Sequence, residues 1–226
     1  MIIDPYSWRQ HTIHHIAHPS PRAVIVSVLR PPDYTFLPGQ HAIVRVNLPD
    51  GTRLVRQYSY ASDPSSPTID FAIVHQPGGI VSGWFNDRAQ IGDNIDISQP
   101  FTGPLQQDIP RAQKCLFIAG GSGIAPIMSH IRTLRASKNH ASIHLLYSTR
   151  TDSLCFADEL SEHLDETIHY RLTDSGPRFT KTDILTAAHD AGTIMICGSR
   201  QFVVSIQQYL HGVGEAKKIA AEAFSL

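Results

Sequence analysis

Phe117-Ile118-Ala119-Gly120-Gly121-Ser122-Gly123-Ile124-Ala125-Pro126 is an apolar run that breaks on three glycines and then resumes with helical spacing. A strand that feeds glycines opening a helix lets backbone amides and the helix N-terminus face a pyrophosphate. Pro126 suits the first turn of that helix, where a missing amide costs little. It also stands where the third glycine of G-x-G-x-x-G belongs, so the usual dinucleotide fingerprint is not met. A tight strand–helix turn that binds nothing has the same outline.

Working outward toward the C-terminus, strand and helix patterns alternate. Residues 115–119, 142–147, 168–172 and 193–197 read as strands, and 126–135, 155–164, 181–189 and 202–210 as helices. Such alternation predicts βαβ units and a doubly wound parallel sheet, an α/β domain. Toward the N-terminus the grammar changes. Short β-branched runs at 22–29, 41–48, 54–60, 69–75 and 94–98 are punctuated by Pro31-Pro32-Asp33 and Pro49-Asp50-Gly51. These predict an antiparallel β-barrel or sandwich. A polar segment at 106–114, holding Pro110, reads as the linker, which gives an N-terminal domain over 1–108 and a C-terminal one over 109–226.

Composition narrows the class. The 226 residues are 42% hydrophobic and 17% charged, with 19 Lys+Arg against 20 Asp+Glu, so no strong field points to nucleic acid or a membrane surface. No run approaches the roughly 18 apolar residues of a membrane-spanning helix, and residues 1–30 lack the pattern of a signal peptide. The expectation is a cytoplasmic, soluble protein. Cys115, Cys155 and Cys197 are too few for a cluster held by four thiolates and too scattered for a disulfide framework. Thirteen histidines include His11, His14, His15 and His18, but Pro5 and Pro19 bracket these and no cysteine is near, so no metal site is expected.

Two further motifs lie in the first half. Arg56-Gln57-Tyr58-Ser59 sits on a predicted strand, and Gly79-Ile80-Val81-Ser82 opens a short helix before Trp84-Phe85. Each alone reads equally well as a plain strand and a plain cap, with Ser82 serving its own backbone. Their order, followed by the glycine-rich βα turn, resembles the ferredoxin–NADP reductase superfamily over nearly the whole chain. That resemblance implies a flavin-binding antiparallel barrel followed by a nucleotide-binding α/β domain, with FAD in the cleft between them. By the same resemblance, Arg56 and its neighbour Gln57 would meet the flavin, with Arg56 on its pyrophosphate. Tyr58 would pack on the isoalloxazine and Ser59 would hydrogen-bond near its reactive nitrogen. Gly79, Ile80, Val81 and Ser82 would hold the phosphates, and His75 is a further flavin contact. Gly120, Gly121, Ser122, Gly123 and Pro126 would seat the nicotinamide dinucleotide.

The resemblance extends to Gly92-Asp93 and Pro100-Phe101, similar to the last barrel strand and its exit. Cys197-Gly198-Ser199 is similar to a Cys-Gly-Pro element beside the nicotinamide, with serine in place of proline. Glu222-Ala223-Phe224 is similar to a Glu-x-Phe tail that places an acid in the hydride-transfer pocket and an aromatic near the flavin. Ser148-Thr149-Arg150 falls where the family recognises the adenosine ribose. Arg150, with Ser148, would favour the extra phosphate of NADPH, and Arg178 is a second phosphate ligand by the same logic; Asp152 leaves NADH open. Hydride transfer needs two flat rings in contact rather than a metal or strong acid, which suits small polar groups such as Ser59 and Cys197. The implied activity is an NAD(P)H-dependent flavoprotein reductase. Its acceptor would be a separate ferredoxin, flavodoxin or oxygenase component, or a small molecule. A free-flavin reductase and a non-catalytic electron-transfer subunit are the competing readings.

Overall fold

The computed structural model describes residues 6–48, 50–111, 113–137, 140–162, 167–212 and 217–224. The first half forms six strands: β1 Arg9–Ser20, β2 Ala23–Leu29, β3 His41–Asn47, β4 Arg53–Ser59, β5 Thr68–Val74 and β6 Asn94–Ile97. They pair antiparallel in the order β4-β3-β6-β1-β2-β5, and a bridge between Tyr60 and Phe71 joins the two edges into a barrel. Helix α1, Ile80–Asp87, plugs one end. Inward residues such as Val26, Val44, Ile69, Phe71 and Ile97 are fully buried, and each contributes about 1.5–3 kcal/mol of transfer free energy.

The second half carries β7 Lys114–Gly120, α2 Ile124–Ala136, β8 Ser142–Thr149, α3 Ala157–Ser161 and β9 Thr167–Leu172. It continues with α4 Lys181–Ala188, β10 Thr193–Ser199, α5 Arg200–Leu210 and β11 Lys218–Phe224. All five strands are parallel, in the order β11-β10-β7-β8-β9. The chain winds outward from β7 to β9, then crosses back to β10 and β11, so the winding reverses between β7 and β10. Open α/β sheets bind ligands above such a reversal, at the carboxyl ends of the strands.

Every strand expected from sequence is present, within two residues at either end. Two strands were not anticipated. Strand β1 has little alternation to read, because only His11 and Ile13 of its twelve residues are buried. Its structure comes from two neighbours, β2 on one side and β6 on the other. Strand β11 is held by pairing with β10 over seven residues. The helix expected at 155–164 is α3, shortened to Ala157–Ser161, and the expected end at Leu164 lies outside the described residues.

Helix α2 is the wedge between the two halves. The Ser129 hydroxyl donates to the Ser62 carbonyl at 2.7 Å, and Arg132 donates to the Ala61 carbonyl at 2.9 Å. The same guanidinium pairs with Asp70 at 3.1 Å on the barrel side and with Glu159 at 2.6 Å on the α/β side. No helix among the described residues is long and apolar enough to cross a membrane.

Candidate functional site

Strand β7 ends at Gly120, a single 3₁₀ turn spans Gly121–Gly123, and α2 begins at Ile124. Gly121 takes a φ of +55°, with open space where a side chain would go. Gly123 lies on the backbone of β10, so that a Cβ there would sit 2.3 Å from the Cys197 carbonyl oxygen and 2.7 Å from the Gly198 nitrogen. One glycine lets the chain turn and the other lets it touch the neighbouring strand. Pro126 is buried in the first turn of α2. Ser199 caps α5 by accepting from the Phe202 amide at 3.3 Å, which gives a local reason for serine there.

Above this turn lies a cleft of about 340 Å³. Gly120, Gly121, Ser122, Ser148, Arg150, Ser199 and Phe224 line it from the α/β side, and Arg22, Val74, Gln76 and Pro77 from the barrel. The structure thus brings together the glycine turn, the end of β8 with Arg150 beyond it, and Phe224. Ser148 is buried and its hydroxyl has no hydrogen-bond partner among the described residues. Together the glycine turn, a partnerless buried hydroxyl and the arginines make a polar cradle that fits a dinucleotide. Arg22, Gln76 and Phe202 line the cleft without having been marked in the sequence; a lone arginine before a strand and a glutamine after one carry no local signal.

The other expected residues form a second group on β4 and α1. Tyr58 sets its ring edge-on to Phe85 of α1 at 5.9 Å, which joins the Arg-x-Tyr-Ser strand to the Gly-x-x-Ser helix. Ser59 is buried, whereas Arg56 and Gln57 are exposed on the edge of the sheet. Burial raises the Tyr58 hydroxyl well above its usual range, so it stays neutral. At the start of α1, the Ser82 hydroxyl accepts from the Gln76 amide at 3.1 Å and donates to the Gly79 carbonyl at 3.3 Å. The first amides of α1, from Ile80, Val81 and Ser82, have no intrahelical acceptor and can meet an anion. His75 is half-buried, its carbonyl accepting from Arg22 at 2.6 Å.

Cys197 and Glu222 are register partners on β10 and β11. Cys197 is fully buried, and burial together with the Glu222 charge holds its thiol protonated. Gly198 packs against Gly120 and the Phe202 ring. Burial pushes the Glu222 carboxyl up to about 7, against an opposing hydrogen bond from the Leu105 backbone. Its Oε2 has no partner among the described residues. A carboxyl that binds its proton more tightly folded than unfolded costs stability as pH rises from about 4.5 to about 7, and the full cost stays above that. Glu222→Gln removes this cost. The melting temperature of the variant relative to the parent is therefore expected to climb between pH 5 and pH 8; parallel curves would show the carboxyl to be unperturbed.

An antiparallel barrel joined to a doubly wound sheet, with a polar cleft over the winding reversal, is the architecture of a two-domain, dinucleotide-binding oxidoreductase. Two family models match: the oxidoreductase FAD-binding domain over residues 25–105 and the oxidoreductase NAD-binding domain over residues 117–208. The chain belongs to the ferredoxin–NADP reductase superfamily. It is 26% identical over 225 residues to the NADH oxidoreductase HCR of Escherichia coli (strain K12), covering 96% of this chain and 68% of that protein. It is 32% identical over 136 residues to the propane 2-monooxygenase reductase component of Rhodococcus jostii (strain RHA1), covering 59% of this chain. It spans 36% of that relative's length. The crystal structure of a ferredoxin NADP+ reductase from Neisseria gonorrhoeae shares the fold, with a TM-score of 0.80, 21% identity, and coverage of 96% and 98% of the two chains.

Proposed function

We propose that the protein is an NAD(P)H-dependent FAD reductase that passes electrons to an acceptor: an oxygenase component, a ferredoxin or flavodoxin, or a small molecule. The observation that carries this reading is the cleft at the winding reversal, walled by the dinucleotide turn on one side and by barrel residues leading into α1 on the other. FAD, when bound, supplies the hydride acceptor and the store from which electrons leave. The chain's own residues position and shield. The amides after Gly120 and at the start of α1 offer positive ends to phosphates, and Arg56 adds an exposed cation at the barrel edge. Tyr58 and Phe224 supply flat apolar faces, and Ser59 a small hydroxyl that does not obstruct a ring. Glu222, its carboxyl raised by burial to about 7, takes up or releases a proton beside Cys197 near neutral pH. The flavin unit is taken as residues 1–108 and the dinucleotide unit as 109–226.

Relatives named as reductase or electron transfer components of oxygenases support the choice of acceptor class. The test is anaerobic mixing of the FAD-loaded protein with NADPH and, separately, NADH, following flavin absorbance near 450 nm. Rapid bleaching by either donor is the expected result; bleaching by neither overturns the reading. Retention of FAD through gel filtration is also expected, and a colourless eluate would make flavin a passing substrate instead.

A further inference from the structure

The barrel contributes a charge to the dinucleotide cleft that the α/β domain does not supply. Three arginines line the cleft, Arg22, Arg150 and Arg178, and among the described residues no aspartate or glutamate does. Arg22 stands at the turn between β1 and β2, yet its amide donates to the Asp152 carbonyl at 2.7 Å and its guanidinium lies 3.5 Å from the Asp152 carboxylate. Arg150 lies 3.5 Å from the other oxygen of that carboxylate. The Ser20 hydroxyl adds a bond to the Asp152 carbonyl at 3.1 Å. The loop after β8 is thus docked on the barrel, with one carboxylate suspended between two arginines from different domains.

The chemistry of this arrangement favours one ligand feature. An adenosine ribose with free hydroxyls needs an acceptor, and the nearby carboxylates are engaged. Asp152 takes the Ser153 hydroxyl at 2.8 Å and both arginines, while Asp174 takes the Thr151 amide at 3.2 Å and its hydroxyl at 2.9 Å. Donors, by contrast, are in surplus: three guanidiniums and the partnerless Ser148 hydroxyl. Ion pairs at 3.5 Å are loose, longer than the 2.7–2.9 Å of a strong charge-assisted hydrogen bond, so a phosphate can draw both guanidiniums closer than the carboxylate does.

We propose that Arg22 is a specificity-determining residue, which joins Arg150 in binding the phosphate monoester that distinguishes NADPH from NADH, with Asp152 as the internal anion that this phosphate displaces. The proposal rests on the dinucleotide reading of the cleft. Its test is calorimetric binding of 2′,5′-ADP and of ADP to the FAD-loaded protein, the parent and two variants. The parent is expected to prefer 2′,5′-ADP. Arg22→Met is expected to weaken 2′,5′-ADP about tenfold, the scale of one charged hydrogen bond, and to leave ADP nearly unchanged. Asp152→Asn, which keeps the backbone anchor, is expected to tighten 2′,5′-ADP selectively. Equal weakening of both nucleotides by Arg22→Met would reduce Arg22 to a prop for the loop, and an ADP-preferring parent would assign the cleft to NADH; each overturns the proposal alone. Binding of neither nucleotide to the parent would overturn the dinucleotide reading itself.

Discussion

Replacing Gly123 with alanine is expected to cost about 3 kcal/mol or more of folding stability, at the upper end of overpacking penalties. The added methyl would fall 2.3 Å from the Cys197 carbonyl oxygen and 2.5 Å from its carbon. Both are backbone atoms of a central strand paired on each side, so neither can move without disturbing β7 and β11 as well. Gly121→Ala is the control. Its φ of +55° is strained for alanine by about 1–2 kcal/mol, but its methyl meets nothing within 4 Å. Urea denaturation of the two variants should therefore separate them clearly, with Gly123→Ala also losing dinucleotide affinity because the turn is forced off β10. Equal, small losses would mean that the turn yields, and that the close approach of the turn to β10 is not what the glycine serves.

That contrast also marks what the sequence could and could not reveal. Glycines within four residues of one another announced a turn, and the alternation of strands and helices announced the sheet above which it sits. Which glycine is required for conformation and which for contact depends on β10, some 75 residues further on, and no local pattern carries that. The same holds for β1. Its histidines give no alternation, and it becomes a strand because β2 and β6 leave a space whose backbone groups need partners. On the barrel, Arg56, Tyr58 and Ser82 were marked by the order of two weak motifs, a relation that survives without coordinates. Arg22 had no such marker. Its place in the cleft arises only when the β1–β2 turn folds onto the loop after β8. Long-range contacts of that kind link residues more than a hundred positions apart, so composition and spacing are silent about them.

Arg132→Met is the second large effect, and it bears on catalysis as well as folding. The arginine joins four groups: Asp70 and the Ala61 carbonyl on the barrel, Glu159 on the α/β side, and the Phe156 ring, 5.0 Å from its guanidinium carbon. Removing one partner of a buried ion pair typically costs about 3–5 kcal/mol because the remaining charge stays desolvated. Here the lower end applies, about 3 kcal/mol, since the Glu159 side chain keeps 31% of its surface in water and can rehydrate. Asp70 cannot: its side chain is 14% exposed and its Oδ1 already has no partner among the described residues. Arg132 also sits on α2, the helix whose first turn follows the Gly121–Gly123 turn, so it fixes that turn against the barrel. Displacements near 1 Å can slow positioned reactions by about a hundredfold. The variant is therefore expected to melt lower and, at a temperature where it remains folded, to show flavin reduction by dinucleotide slowed by about ten- to a hundredfold. Arg132→Lys keeps the charge but loses the planar fork that serves several acceptors at once, and should fall between the two. If Arg132→Met melts low yet bleaches its flavin at the parental rate, the clamp secures the fold only, and the Ser129–Ser62 contact suffices to hold the two halves in register for hydride transfer.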